Sequence, residues 1–239
     1  MMMTVKDQKP GLLPLMQDLA SDRSGLALTE FAFSLPIMLS LMVGGAELSN
    51  YAVVQSTISQ LAVQVADNAT RIGTKDPSQI YYVAESQIND ILDGAALHAG
   101  NLDIYGTHKE GNTTVGNGMI VISNVSEMLE KTNDGKSQYE ITWQRCRGAA
   151  DYEPQYGKFG ETSGTEMLEG MGPAGQKATP PDRNTDMLFV EIHYRYQPIF
   201  FTPNAIRSYS DIRMSASMLV RDNRSSDLPS ANATAYACA

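Results

Sequence analysis

The sequence predicts an α+β protein. One long N-terminal helix, membrane-spanning in its first half and amphipathic in its second, is followed by a shorter helix and an antiparallel β-sheet domain. Three observations carry this. The run from Gly25 to Leu41, GLALTEFAFSLPIMLSL, continued by MVGGA to Ala46, has membrane length and holds one ionised residue, Glu30. Beyond it, apolar residues recur at helical spacing as far as Ile72. After Gly94 the pattern changes to short apolar stretches separated by Gly-, Asn- and Thr-rich connections.

The chain has 239 residues, 42% of them hydrophobic and 19% charged, which leaves room for one membrane segment and one folded domain. Residues 1–25 read as a short cytoplasmic leader in which Lys6, Lys9 and Arg23 are offset by Asp7, Asp18 and Asp22. The net charge of −9 argues against nucleic acid, whose binding rests on Lys and Arg neutralising phosphates. No Lys/Arg-rich run offers a basic membrane-surface patch. Three basic residues precede the apolar run and none follows it until Arg71. That asymmetry predicts a single-pass protein with a cytoplasmic N-terminus and the remainder of the chain translocated.

Residues 26–46 form the predicted transmembrane segment, since a hydrocarbon core takes about 20 apolar helical residues to cross. Pro36 is expected to kink the helix there, where the carbonyl it frees needs another donor. Residues 47–73 continue as an amphipathic helix. Tyr51, Val54, Ile58, Leu61, Val65, Ala69 and Ile72 make its apolar stripe, and Gly73 supplies a stop. A helix from Ser24 to Ile72 would be roughly 75 Å long at 1.5 Å per residue.

Residues 74–221 are expected to be an extracytoplasmic α+β domain. Its helix is placed at Pro77–Leu92, with Asp76 as N-cap and Pro77 at the first helical position. Strands are expected at Leu102–Tyr105, Gly118–Val125, Ser137–Arg145, Met187–Gln197 and Asp211–Arg221, with hairpin connections such as GTHKEGNTTVGNG. The Gly- and Pro-rich stretch 147–183 is too long for an ordinary hairpin loop and reads as a surface excursion. Residues 222–239 read as a C-terminal tail. Cys146 and Cys238 fall in a disulfide-permissive compartment. A bond between them would tie the tail down and contribute about 4–5 kcal/mol through loop closure; two buried unpaired thiols are the alternative.

Catalytic and metal signals are weak. His98, His108 and His193 share no ligand spacing with one another or with a cysteine, and no nucleophile elbow, phosphate loop or HExxH occurs. Glu166 and Glu169 stand close together, but in the Gly-rich excursion, where solvated charge is the expected role. No enzymatic activity, metal or cofactor is expected. Sequon patterns at Asn68, Asn112, Asn124, Asn223 and Asn232 matter only in a glycosylating source.

Glu30 has two readings. A signal anchor can tolerate one carboxylate near its cytoplasmic end, where the side chain snorkels. Alternatively, a cut after Gly25 gives Leu26 a new ammonium, with Glu30 one helical turn along. Both ions stranded in lipid favour pairing, within a subunit or with a neighbour, because unpaired they cost much more.

Gly25, four residues, Glu30-Phe31, an apolar run holding Pro36 and a long amphipathic helix together resemble the N-terminus of type IV pilin-like proteins. The wording TEFAFSLPIMLSLMVGGAELSNY is most similar to TadE-like proteins, minor pseudopilins of the tight-adherence (Flp) pilus system. The resemblance covers residues 25–55. It implies a pilin-like fold, prepilin-peptidase cleavage after Gly25, Leu26 as the mature N-terminus and Glu30 as the assembly glutamate. The implied partners are other pilin-like subunits, the pilus assembly machinery, the peptidase and membrane lipid. Two features depart from the pattern: the leader carries no net positive charge, and Leu26 stands where Phe or Met is common. The domain is also larger than a major Flp pilin, which implies a minor, tip or initiating subunit.

The competing expectation is a secreted or membrane-anchored binding domain that uses residues 26–46 only as signal or anchor, with a small-residue cleavage site at Val43-Gly44-Gly45-Ala46 before Glu47. The stripe continuing without a break through residues 47–72 favours the assembling subunit.

Overall fold

The structure, a computed structural model, describes residues 25–131, 135–159, 170–200, 211–222, 224–225 and 227–238. The leader residues 1–24, with the expected helix start at Ser24, lie outside the described residues, as do residues 160–169 of the excursion with Glu166 and Glu169, and Asn223. The chain divides into two compact units, Met1–Ser49 and Asn50–Ala239.

The first helix, α1, runs from Leu26 to Ala69 and contains Pro36. In the first unit its residues alternate in no direction: apolar side chains surround the helix, and Leu28, Phe33 and Leu41 are each more than two-thirds exposed. From Asn50 onward the helix carries a sealed stripe of Val54, Ile58, Leu61, Ala62, Val65 and Ala66.

In the second unit this stripe meets a second helix, α2 (Glu85–Ala99), and one face of a four-stranded antiparallel sheet. The sheet is built from β5 (Gly118–Lys131), β6 (Ser137–Gly148), β7 (Met187–Arg195) and β8 (Asp211–Leu219), in the order β6-β5-β7-β8. Ile120, Ile122, Trp143, Leu188, Val190, Ile192, Tyr194 and Ile212 supply the sheet's buried share of the main core. Two small hairpins precede it: β1 (Thr74–Lys75) with β2 (Tyr81–Tyr82), and β3 (Thr107–Glu110) with β4 (Thr113–Gly116).

The helix expected at Pro77–Leu92 begins eight residues later, at Glu85, and ends at Ala99. Asp76 caps a turn instead. Its carboxylate accepts the Ile80 N–H at 2.9 Å and the Ser78 hydroxyl at 2.7 Å, closing the β1–β2 hairpin. The hydrogen bond from Ser78, then that from Ile80, holds this carboxyl below its ordinary range. Cap acceptors for α2 come from far along the chain: the Glu85 N–H donates to the Ser230 carbonyl at 3.1 Å, and the Ser86 N–H donates to Asn232 Oδ1 at 3.0 Å. The helix runs past its expected end at Leu92 and through Gly94, because Ala95 and Ala99 bury against the core beyond.

No strand forms at Leu102–Tyr105. Gly100–Leu102 is a 3-10 turn, Asp103 adopts φ 44°, and Ile104 is buried. The segment folds the end of α2 onto the core, where the Tyr105 hydroxyl donates to the Leu92 carbonyl at 2.8 Å. The GTHKEGNTTVGNG stretch is itself the β3–β4 hairpin, turning at Gly111 with φ 62°.

The stretch after β6 covers the sheet's second face. Met171 and Ala178 join Val125, Ile141, Met187 and Phe189 in a second apolar cluster, with the Tyr156 ring edge-on to Phe189 at 5.6 Å. Helices on one face and an irregular cover on the other explain why β7 is buried from Met187 to Tyr194 with no break. The tail is ordered by the same domain. Arg224 donates to the carbonyls of Ala69, Thr70 and Ile72, closing the C-terminus of α1.

Candidate functional site

Of the residues singled out for assembly, Leu26, Glu30 and Pro36 lie on the first unit's part of α1 and Gly25 stands immediately before it. The Gly25 carbonyl accepts the Thr29 N–H at 3.1 Å, so the helical ladder begins at the glycine itself. Leu26 and Glu30 are both exposed, four residues apart on one helix, a rise of about 6 Å. Pairs at this spacing share a helix face. Every hydroxyl between Thr29 and Ser49 is turned back on the backbone: Thr29 to Leu26, Ser34 to Phe31, Ser40 to Pro36 and Ser49 to Gly45, at 2.7–3.0 Å. With those groups satisfied internally, Glu30 is the one strongly polar side chain from Gly25 to Ala46.

Pro36 lies inside α1, and the helix runs through it. Its missing N–H leaves the Ala32 carbonyl without the usual helical donor. Leu26–Ala69 is long and apolar enough to cross a membrane, with a mean hydropathy of 1.8 in its most apolar stretch and none of that stretch buried.

From Leu48 to Ala66 the helix carries no charged residue. Its outward side is Ala52, Val53, Gln55, Ser56, Ser59, Gln60, Val63 and Gln64, all exposed. A solvated helix face is ordinarily charged; a neutral one with two exposed valines is suited to lying against another helix.

Cys146 and Cys238 are joined in a disulfide that closes a 92-residue separation. The Cys146 N–H donates to the Tyr236 carbonyl at 2.8 Å, and the Arg147 guanidinium lies between the Tyr105 and Tyr236 rings at 4.9 and 4.7 Å. Burial pushes the Tyr105 hydroxyl far above its ordinary range. A cavity of about 440 Å³ beside the disulfide is lined by Gln144, Arg145, Lys158, Phe159, Leu228 and the tail.

Several polar arrangements carry no sequence signal. Glu85 and Arg145, 60 residues apart and both buried, form an ion pair between α2 and β6. Asp186 accepts from Asn124 at 2.8 Å and Ser126 at 2.6 Å. His193 lies 3.7 Å from Glu191 under the Tyr152 ring, and the Tyr152 hydroxyl is pushed up to about 12 by burial and by its hydrogen bond to Asp211. The histidines do not converge: His98 is exposed on α2, His108 bonds Asn117 at 2.7 Å, and His193 stays with Glu191. Among the described residues no three His, Cys, Asp or Glu side chains could hold a metal ion.

Residues 25–73 match the family model described as TadE-like protein. The N-terminal segment is TadE-like. The match begins at Gly25, covers the whole of α1 and ends at Gly73, before the first hairpin. No curated protein and no solved structure matches the chain. The match ties this segment to proteins associated with tight-adherence pili.

Proposed function

We propose that this protein is a minor pilin-like subunit of a tight-adherence pilus, processed by a prepilin peptidase after Gly25 and acting by association. Residues 26–46 anchor it in the inner membrane with the N-terminus cytoplasmic, and the Cys146–Cys238 disulfide belongs to the oxidising side. Its partners are other pilin-like subunits and the assembly machinery, and its domain serves adhesion and secretion at the periplasmic face or fibre tip. The observation that carries this reading is the continuity of α1 from Leu26 to Ala69 across the TadE-like segment. A cleaved signal peptide has no use for a helix that continues it into the folded domain.

In this account the Leu26 ammonium, freed by cleavage, and the Glu30 carboxylate seek each other in lipid, where an unpaired ion costs several kcal/mol. Pairing between neighbours fixes the register at which the apolar halves pack. Pro36 bends the helix within that layer, and the Ala32 carbonyl that it frees is available to a neighbour's donor. The neutral outward side of residues 52–64 continues the packing surface beyond the bilayer.

Glu30→Gln keeps the shape of the side chain and removes its charge. The expected outcome is normal membrane insertion with loss of the protein from sheared pilus fractions. Unchanged incorporation of the variant would remove the register role from Glu30.

A further inference from the structure

The two edges of the main sheet differ. At β6 the Cys146 N–H is taken by Tyr236, the disulfide holds the tail alongside, and pairing with β5 shifts register at Asn124/Val125 and again after Glu127. Tails and bulges of this kind block an edge against further strands. None of these protects β8. Its nine residues pair with β7 in unbroken register, from Arg195 opposite Asp211 to Met187 opposite Leu219. On its outer side no main-chain group of Asp211–Leu219 pairs with any described residue. The strand has no proline, lysine or glycine, and from Met214 to Leu219 it has no charge. Ile212, Met214, Ala216 and Met218 face the main core, while Asp211, Arg213, Ser215, Ser217 and Leu219 are exposed on the opposite face.

We propose that β8 pairs antiparallel with β8 of a second copy of this chain, about a two-fold axis through Ser215, joining two four-stranded sheets into one. The strand complements itself in that register. Met214 stands opposite Ala216 of the second copy and Ile212 opposite its Met218, so large side chains meet small or flexible ones and the core layer continues across the seam. On the other face Ser215 meets its own counterpart and Arg213 meets a serine. No like charges are opposed. The strand's one acidic residue, Asp211, falls diagonal to the exposed Arg221 of the second copy. A one-residue slip would put core-facing residues opposite exposed ones throughout. The pairing goes beyond the assembly role proposed above and stands independently of it, because α1 takes no part.

The test uses the full chain in detergent. In this pairing the two Ser215 Cβ atoms lie about 4.5–5.5 Å apart, within the reach of a disulfide after slight adjustment. Ser215→Cys under mild oxidation is expected to give at least about tenfold more covalent dimer than Leu97→Cys, whose side chain on α2 is 84% exposed. Ser215→Lys sets two ammonium groups opposite each other and is expected to weaken the dimer about tenfold at an unchanged melting temperature. Mixing Ser215→Lys with Ser215→Glu is expected to restore it. Cross-linking of Ser215→Cys no greater than that of Leu97→Cys overturns the proposal. So does a Ser215→Lys dimer as strong as wild type, or capture by Ser215→Cys in cells of a different polypeptide in place of a second copy.

Discussion

Leu26–Ser49 and Asn50–Ala69 are parts of one α-helix, yet their apolar residues are distributed differently. In the first part they surround the helix, and Phe33 is 80% exposed; in the second most of them gather in a stripe in which Ile58 and Ala66 have no exposure at all, with Val53 and Val63 on the outward side. The backbone geometry is the same, so the difference is one of periodicity. An apolar surface on all sides calls for lipid or neighbouring helices. A stripe calls for a sheet and a second helix, which the domain supplies. Charge follows the same division. The first part carries Glu30 exposed among apolar neighbours and, near its end, the buried Glu47, whereas the domain pairs Glu85 with Arg145 in its interior.

Equivalent truncations in the two parts sharpen this contrast. Ile58→Ala leaves a void in the main core and is expected to cost about 2–5 kcal/mol of domain stability. Ile37→Ala removes the same atoms from a side chain that is 64% exposed, and the domain's melting temperature is expected to stay at the wild-type value. Thermal unfolding in detergent, followed by near-ultraviolet circular dichroism of Trp143 and its surroundings, measures both. Equal losses would mean that the first part is folded against the domain as a core element.

A smaller effect is expected where α1 ends. The Arg224 guanidinium is buried, which lowers its pKa from the ordinary value, and its hydrogen bonds go to three carbonyls at the helix terminus. Arg224→Met keeps the aliphatic stem and leaves those carbonyls without their donors. The expected loss is about 1–3 kcal/mol in the same unfolding measurement. No loss would show that the helix terminus is satisfied by water.

Legibility in the sequence followed the distance over which each element is specified. α1 was readable because its stripe repeats every turn and needs no knowledge of the rest of the chain. The strands β5 to β8 were readable from their β-branched and aromatic content, and Cys146 with Cys238 from their number and compartment. The start of α2 was not. Asp76-Pro77 has the composition of a helix N-terminus, but it is also a turn, and the groups that cap α2 are Ser230 and Asn232, some 146 residues away. The tail shows the same limit. Its composition reads as unstructured, yet Arg224, Asn232, Tyr236 and Cys238 each complete an element elsewhere. The mixed period of residues 120–125 in β5 recorded burial on both faces, whereas β7 alternates in sequence yet is buried from Met187 to Tyr194, because Met171 and Tyr156 cover the second face. The proposed assembly residues Gly25, Leu26, Glu30 and Pro36 were picked out by their spacing within one helix.

The central claim is that α1 is an assembly helix created by cleavage after Gly25. The intact mass and N-terminal residue of the membrane-extracted protein, with and without the prepilin peptidase, test it most directly. The account predicts a chain beginning at Leu26 that forms only when the peptidase is present. A chain beginning at Glu47, or one left uncut in the presence of the peptidase, would contradict it.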